Sequence, residues 1–165
     1  MEYLIDKIQA HDWDQIRDIY LEGIKTGDAT FETAPPSWED WDVNHIKSCR
    51  LATKKGEEVY GWAALSPFSR RKVYSGVAEV SIYVRKNQRG KGIGEVLLKE
   101  LIKKSEENGF WTLQASIFPE NKASIIIHEK CGFRVVGIRE KVGKMKNGRW
   151  RDVILMERRT IKEIG

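Results

Sequence analysis

Between a β-branched apolar run and an amphipathic run, the chain sets Arg89, Gly90, Lys91, Gly92, Ile93, Gly94 and Glu95 in succession. Glycines at such a junction let a backbone approach a ligand with no Cβ atoms in the way. The start of a following helix then adds unpaired N–H groups and the positive end of its dipole. With Arg89 and Lys91 beside them, these groups suit phosphate oxygens. A tight strand-to-helix connection would use the same glycines, so the surroundings must decide. No GxxxxGK followed by Ser or Thr occurs, and counted from Gly90 a GxGxxG fails because Glu95 stands where the third glycine belongs. The spacing that fits is Arg89-x-x-Gly92-x-Gly94.

A second candidate precedes the glycines. In "GVAEVSIYV" alternate side chains share a face, so Val77, Glu79, Ser81 and Tyr83 point one way and Ala78, Val80, Ile82 and Val84 the other. Glu79 is the one carboxylate of a β-rich stretch. By itself it reads more readily as a solvated or surface-paired carboxylate than as a base held in place.

The elements that must position these groups follow from periodicity. "YLIDKI" reads as a strand, and "DWDQIRDIYLEGI" as a helix with Trp13, Ile16, Ile19, Tyr20 and Ile24 at helical spacing and Asp12 placed to cap it. "KTGDATFETAPP" makes a loop. Ser37 and Asp40 then open a second helix with capping-box spacing. Strands at about 50–54 and 58–65 follow, then "GVAEVSIYV". The clearest helix begins at Ile93, with Val96, Leu97, Leu101 and Ile102 on its stripe and Gly109 as its stop. "WTLQASIF" is a strand, "ENKASIIIHEKCG" a shorter helix, and two last strands flank a hairpin at Asn147-Gly148. The order βααβββαβαββ defines an α+β, mixed α/β domain with a strand–helix–strand unit at its centre.

At 165 residues this is one domain, 1–165, large enough for a core without disulfide or metal staples. A hydrophobic fraction of 41% excludes a disordered chain. No apolar stretch is long enough to span a membrane and the N-terminus does not resemble a secretory signal, so no membrane association and a cytoplasmic location are expected. Cys49 and Cys131 have no CxxC spacing and are expected to be free thiols, with no metal site. A net charge of +5 is spread over short groups, "SRRK", "VRKNQRGK" and "ERR", which fits a small anionic ligand at least as well as a polynucleotide.

The Arg-x-x-Gly-x-Gly segment between strand and helix resembles the acetyl-CoA pyrophosphate loop of the GCN5-related N-acetyltransferases (GNAT family). "PENKASIIIHEKCGF" is similar to that family's second cofactor segment. "ATFET", "GWA", "AEVSIYV", "HEKCGF" and "GRWRD", in that order, resemble its phosphinothricin and methionine sulfoximine acetyltransferase branch. The resemblance implies the GNAT fold, a mostly antiparallel twisted sheet flanked by helices. It also implies acetyl-CoA as co-substrate, a small-molecule amine as acceptor, and a homodimer.

The resemblance implies that Glu79 is the general base that takes the proton of the amine. Backbone groups of Ile82, Tyr83 and Val84 are expected to pair with the pantetheine arm as an added strand. Arg89 to Glu95, Lys91 included, are expected at the pyrophosphate. Asn121 is either a pantetheine contact or a helix N-cap. His128 stands where many family members carry Tyr, and is either an acid, an orienter of the base, or structural. Thr30, Phe31 and Ser81, with Arg70 and Arg71 of "SPFSRRKVY", are candidates for the acceptor site, although the arginines equally suit a solvated charge run. His11 and His45 receive no role. A peptide or protein N-acetyltransferase of the same fold is the alternative. A nucleic-acid-binding module is disfavoured, because Tyr83 is the one aromatic close to the basic loop in sequence.

Overall fold

The computed structural model describes residues 2–163. Its elements follow the order expected from the sequence: β1 (Leu4–Lys7), α1 (Trp13–Thr26), α2 (Trp38–Asn44), β2 (Arg50–Lys55), β3 (Glu58–Pro67), β4 (Val77–Val84), α3 (Ile93–Glu107), β5 (Thr112–Ile117), α4 (Lys122–Lys130), β6 (Arg134–Lys144) and β7 (Trp150–Arg159). The strands form one sheet in the order β1-β2-β3-β4-β5-β7-β6, antiparallel throughout except for parallel β4 and β5.

Each face of the sheet carries its own core. On one side Leu97, Leu98 and Leu101 of α3 pack on Ala63, Leu65, Ala78, Val80, Leu113 and Met156. On the other, Trp13, Ile16 and Ile19 of α1 and Trp41 of α2 cover Ala52, Val59, Trp62 and Ala64. β3 lies between both layers and is buried from Val59 to Leu65, which accounts for its nearly unbroken apolar run.

Two local expectations change. Asp12 does not cap α1 through its side chain. A turn of 3-10 helix, Ala10–Asp12, leads straight into α1, so Asp12 is already helical. Its carboxylate reaches back to the Gln9 N–H and out to Lys54, both at 2.8 Å. The last hairpin carries Gly148 at φ +90° in its turn as expected, but β6 also bulges between Arg139 and Gly143, with Lys141 at φ +46° and its N–H on Asp152. Ser37 does cap α2, accepting from the Asp40 N–H at 3.2 Å.

Candidate active site

The pairing of β4 with β5 ends at Glu79↔Gln114, although β4 continues to Val84 beside β3. β5 meanwhile pairs along its whole length with β7. The two central strands therefore separate just past Glu79. Along the edge left free, Ile82, Tyr83 and Val84 line a cavity of about 780 Å³, large enough for an elongated cofactor tail. Its other walls are the loop and first turn at 88–95, the stretch from Glu120 through α4, and the end of α1.

The glycines shape one end of this cavity. Gly90 and Gly92 stand at φ +76° and +83°, and no protein atom lies within 4 Å of where a Cβ would be. Gly92 is the N-cap of α3 and supplies no side-chain cap. The first-turn N–H groups at Ile93, Gly94 and Glu95 therefore remain for a ligand. At Gly94 a Cβ would stand 3.0 Å from Cδ1 of Ile127, so the glycine permits α3 and α4 to approach. Arg89 lines the cavity and its Nε donates to the Val84 carbonyl at 3.2 Å, fixing the loop to the end of β4. Lys91 is exposed outside the lining, 3.4 Å from Gln88 Oε1.

Asn121 and His128 border the same cavity. Asn121 Oδ1 accepts from the Ser124 N–H at 3.4 Å as the cap of α4, leaving Nδ2 without a hydrogen-bond partner among the described residues. His128 is 3% exposed. Its Nδ1 donates to the Ser124 carbonyl at 2.7 Å, while the buried Nε2 has no partner among the described residues. Burial holds its pKa below the usual histidine range. A neutral ring bonded in this way presents a lone pair at Nε2, and an acid would require the protonated form that burial disfavours.

Glu79 is half-buried. Gln114 Nε2 and Ser116 Oγ, both from β5, donate to its Oε1 at 3.1 and 3.0 Å. Oε2 has no hydrogen-bond partner among the described residues. Four places along the same strand face, Tyr83 stacks on Tyr20 at 4.8 Å and presses on Gly23, where a Cβ would meet its ring at 2.5 Å. Burial pushes both phenols upward against the opposing effect of the Thr30 hydroxyl, so both remain neutral. Ser81 lies between Glu79 and Tyr83 on this face, half-buried. Phe31 meets Phe118 edge-on at 4.8 Å and rests on Gly143, whose Cβ would fall 2.4 Å from the ring.

Arg70 and Arg71 are exposed and outside the cavity lining. Arg71 lies over the Tyr74 ring at 5.4 Å and its N–H meets Ser69 Oγ, both within its own loop. Sequence reasoning missed Gln114 and Ser116. Alternation in "WTLQASIF" puts them on one face, but nothing local shows that this strand runs beside Glu79. It also missed Arg151, whose side chain is 2% exposed and paired with Asp28 and Glu120. Among the described residues no group of three or more His, Cys, Asp or Glu is placed to hold a metal, and no helix is long and apolar enough to cross a membrane.

The glycine-lined start of α3 and the sheet that opens past a parallel strand pair thus share one cavity. The sequence pattern of the Acetyltransferase (GNAT) family matches residues 12–133, and the chain belongs to that family. It is an N-acetyltransferase. An L-methionine sulfoximine/L-methionine sulfone acetyltransferase of Pseudomonas aeruginosa is 35% identical over 121 residues, 73% of this chain and 70% of that one. A GNAT superfamily phosphinothricin acetyltransferase of Sinorhizobium meliloti, solved in complex with AcCoA, superposes with a TM-score of 0.86 at 30% identity, covering 100% of this chain and 94% of that one. A ribosomal-protein-alanine N-acetyltransferase of Brucella melitensis gives the same TM-score and identity, covering 95% and 99%.

The buried histidines carry a pH prediction. His45, stacked on Trp41 at 4.2 Å, has its pKa lowered by burial, as has His128. Below about pH 6.5 the unfolded chain binds protons that the folded chain refuses, so stability falls as pH falls, by at most about 1.4 kcal/mol per pH unit for each ring. Thermal unfolding between pH 7.5 and 5.5 should show a decreasing Tm, with a shallower slope in His128→Phe. An unchanged slope would contradict this origin.

Proposed function

We propose that the protein transfers the acetyl group of acetyl-CoA to the α-amine of a small amino acid or analogue, of the phosphinothricin and methionine sulfoximine kind. The glycine cradle and the free β4 edge that line the cavity, with Glu79 oriented by Gln114 and Ser116 farther back on the same strand and outside that lining, carry this assignment. The two relatives named for such analogues support the acceptor class.

Bound acetyl-CoA supplies an activated acetyl group as a thioester. The first-turn N–H groups of α3, with Arg89, hold its pyrophosphate. The β4 edge at Ile82 to Val84 pairs with the pantetheine arm, and one of its N–H groups polarises the thioester carbonyl. Asn121 Nδ2 is the amide group still available to that arm. Glu79 Oε2 accepts a proton from the acceptor ammonium, directly or through a water, and so frees the lone pair that attacks. The C–N bond forms as the C–S bond breaks, CoA departs as a thiolate, and the second proton that the nitrogen loses passes to that thiolate, directly or through a water. Thr30, Phe31 and Ser81 face the acceptor. Arg70 and Arg71 would reach it only by movement of their loop.

Acetylation of a protein N-terminus is the second assignment. The Brucella relative's name favours it, and no residue of the basic loop lines the cavity. Thiol release from acetyl-CoA with amino acids, polyamines, aminoglycosides and alanine-started peptides separates the two. Turnover with amino-acid analogues is expected; turnover confined to peptides would replace the first assignment by the second.

A cytoplasmic homodimer completes the proposal. The edge strand β6 exposes Val135, Val136, Ile138 and Val142, and Trp150 lies beside them, an apolar surface suited to a second copy. Sedimentation should give a dimer for the wild type and a monomer for Ile138→Glu. A monomeric wild type would rule the dimer out.

A further inference from the structure

Arg151 sits in the "GRWRD" stretch of β7 and belongs to none of the groups assigned above. It is a buried cation, and every polar partner it has lies on one of the two loops that flank the cavity. Its Nη1 donates to the Gly27 carbonyl at 2.7 Å, and its Nη2 donates to Asp28 Oδ1 and Glu120 Oε1, both at 2.8 Å. Its guanidinium also lies 3.9 Å from the centre of the Phe118 ring. Asp28 and Glu120 are themselves part of the cavity wall.

The sequence distances give these contacts their meaning. Asp28 stands two residues before Thr30 and three before Phe31, the wall assigned to the acceptor under the proposed function. Glu120 immediately precedes Asn121, the cap of α4 on the cofactor side. Phe118, under the guanidinium, is also the ring against which Phe31 packs. Two carboxylates, one carbonyl and one aromatic face are thus gathered on a single planar cation, which its forked geometry allows and an ammonium does not. No other contact among the described residues' hydrogen bonds and ion pairs joins residues 27–33 to residues 118–121.

We propose that Arg151 is a positioning residue that fixes the acceptor loop at 27–31 and the cofactor loop at 118–121 relative to each other. It touches neither substrate. Through Asp28 it places the Thr30–Phe31 wall, and through Glu120 it places Asn121 and the start of α4. The inference rests on the acetyl-transfer assignment for what the two loops hold, but the link between the loops is a feature of the chain itself.

The test compares Arg151→Lys and Arg151→Met with two one-sided variants, Asp28→Asn and Glu120→Gln. Calorimetric titration of acetyl-CoA without amine is read beside KM and kcat for the amine, at a temperature where circular dichroism shows each variant folded. Arg151→Met is expected to weaken acetyl-CoA binding and raise the amine KM by about tenfold or more, the scale of a buried pair that loses one partner, with a much smaller change in kcat. Arg151→Lys should recover part of both effects. Glu120→Gln should weaken acetyl-CoA binding with little effect on the amine KM, and Asp28→Asn should do the reverse. A merely structural role would instead lower kcat by loss of active protein at unchanged KM and acetyl-CoA affinity, and that result overturns the proposal. If Arg151→Met does not fold, the one-sided pair decides: unchanged values in both overturn it. Should the wild type turn over no amine, the function assignment fails, while the calorimetric effect of Glu120→Gln still tests the link on the cofactor side.

Discussion

Glu79→Gln is expected to lower turnover of the amine by about 10²- to 10⁴-fold, the range of a positioned general base, without changing acetyl-CoA affinity. The amide keeps the size of the side chain and an oxygen that can accept from Gln114 and Ser116, which hold Oε1 in the wild type. It removes the second oxygen's capacity to take a proton. The acceptor's α-amine is mostly an ammonium near neutral pH, and without a base its lone pair is not available there. Raising the pH should therefore restore part of the lost rate, because bulk deprotonation of the amine then does what Glu79 did. Steady-state rates from pH 6 to 9.5 read this directly. A variant with wild-type turnover at pH 7 would remove Glu79 from the mechanism.

Gly92→Val is expected to weaken acetyl-CoA binding by at least about tenfold. At φ +83° the backbone is left-handed, which costs an L-residue about 1–2 kcal/mol, and a branched side chain would stand in the space the cradle leaves for phosphate. Gly56→Val supplies the control. Gly56 lies at φ +60° in the turn between β2 and β3, equally free of neighbours and outside the cavity. Both variants should lose stability to a similar degree, but only Gly92→Val should lose affinity in calorimetric titration. Equal loss of affinity in both would mean that the glycine segment acts through the fold alone.

Where the signal is local, the sequence is readable. The stripe of Leu97, Leu101 and Ile102 marks α3, Ser37 marks the start of α2, and Asn147-Gly148 marks the last hairpin. Strand parity alone sets Glu79, Ser81 and Tyr83 on one face. What escapes is decided by partners far away in the chain. The separation of β4 from β5 depends on where two strands joined by α3 stop pairing, and no residue of either strand announces it. Gln114 and Ser116 reach Glu79 across 35 and 37 positions, and Arg151 reaches Asp28 across 123. Asp12 fails as a cap for a different reason: a 3-10 turn ahead of α1 moves the true helix start, and caps are read from a boundary that the sequence leaves loose by a residue or two.

The most direct measurement is to incubate the purified protein with acetyl-CoA and either methionine sulfoximine or an alanine-started peptide, and to identify the products by mass spectrometry alongside released CoA. Acetylation of the sulfoximine's α-amine with one CoA freed per amide formed is the predicted result. Acetylation of the peptide alone, or CoA release with no acetylated amine, would contradict it.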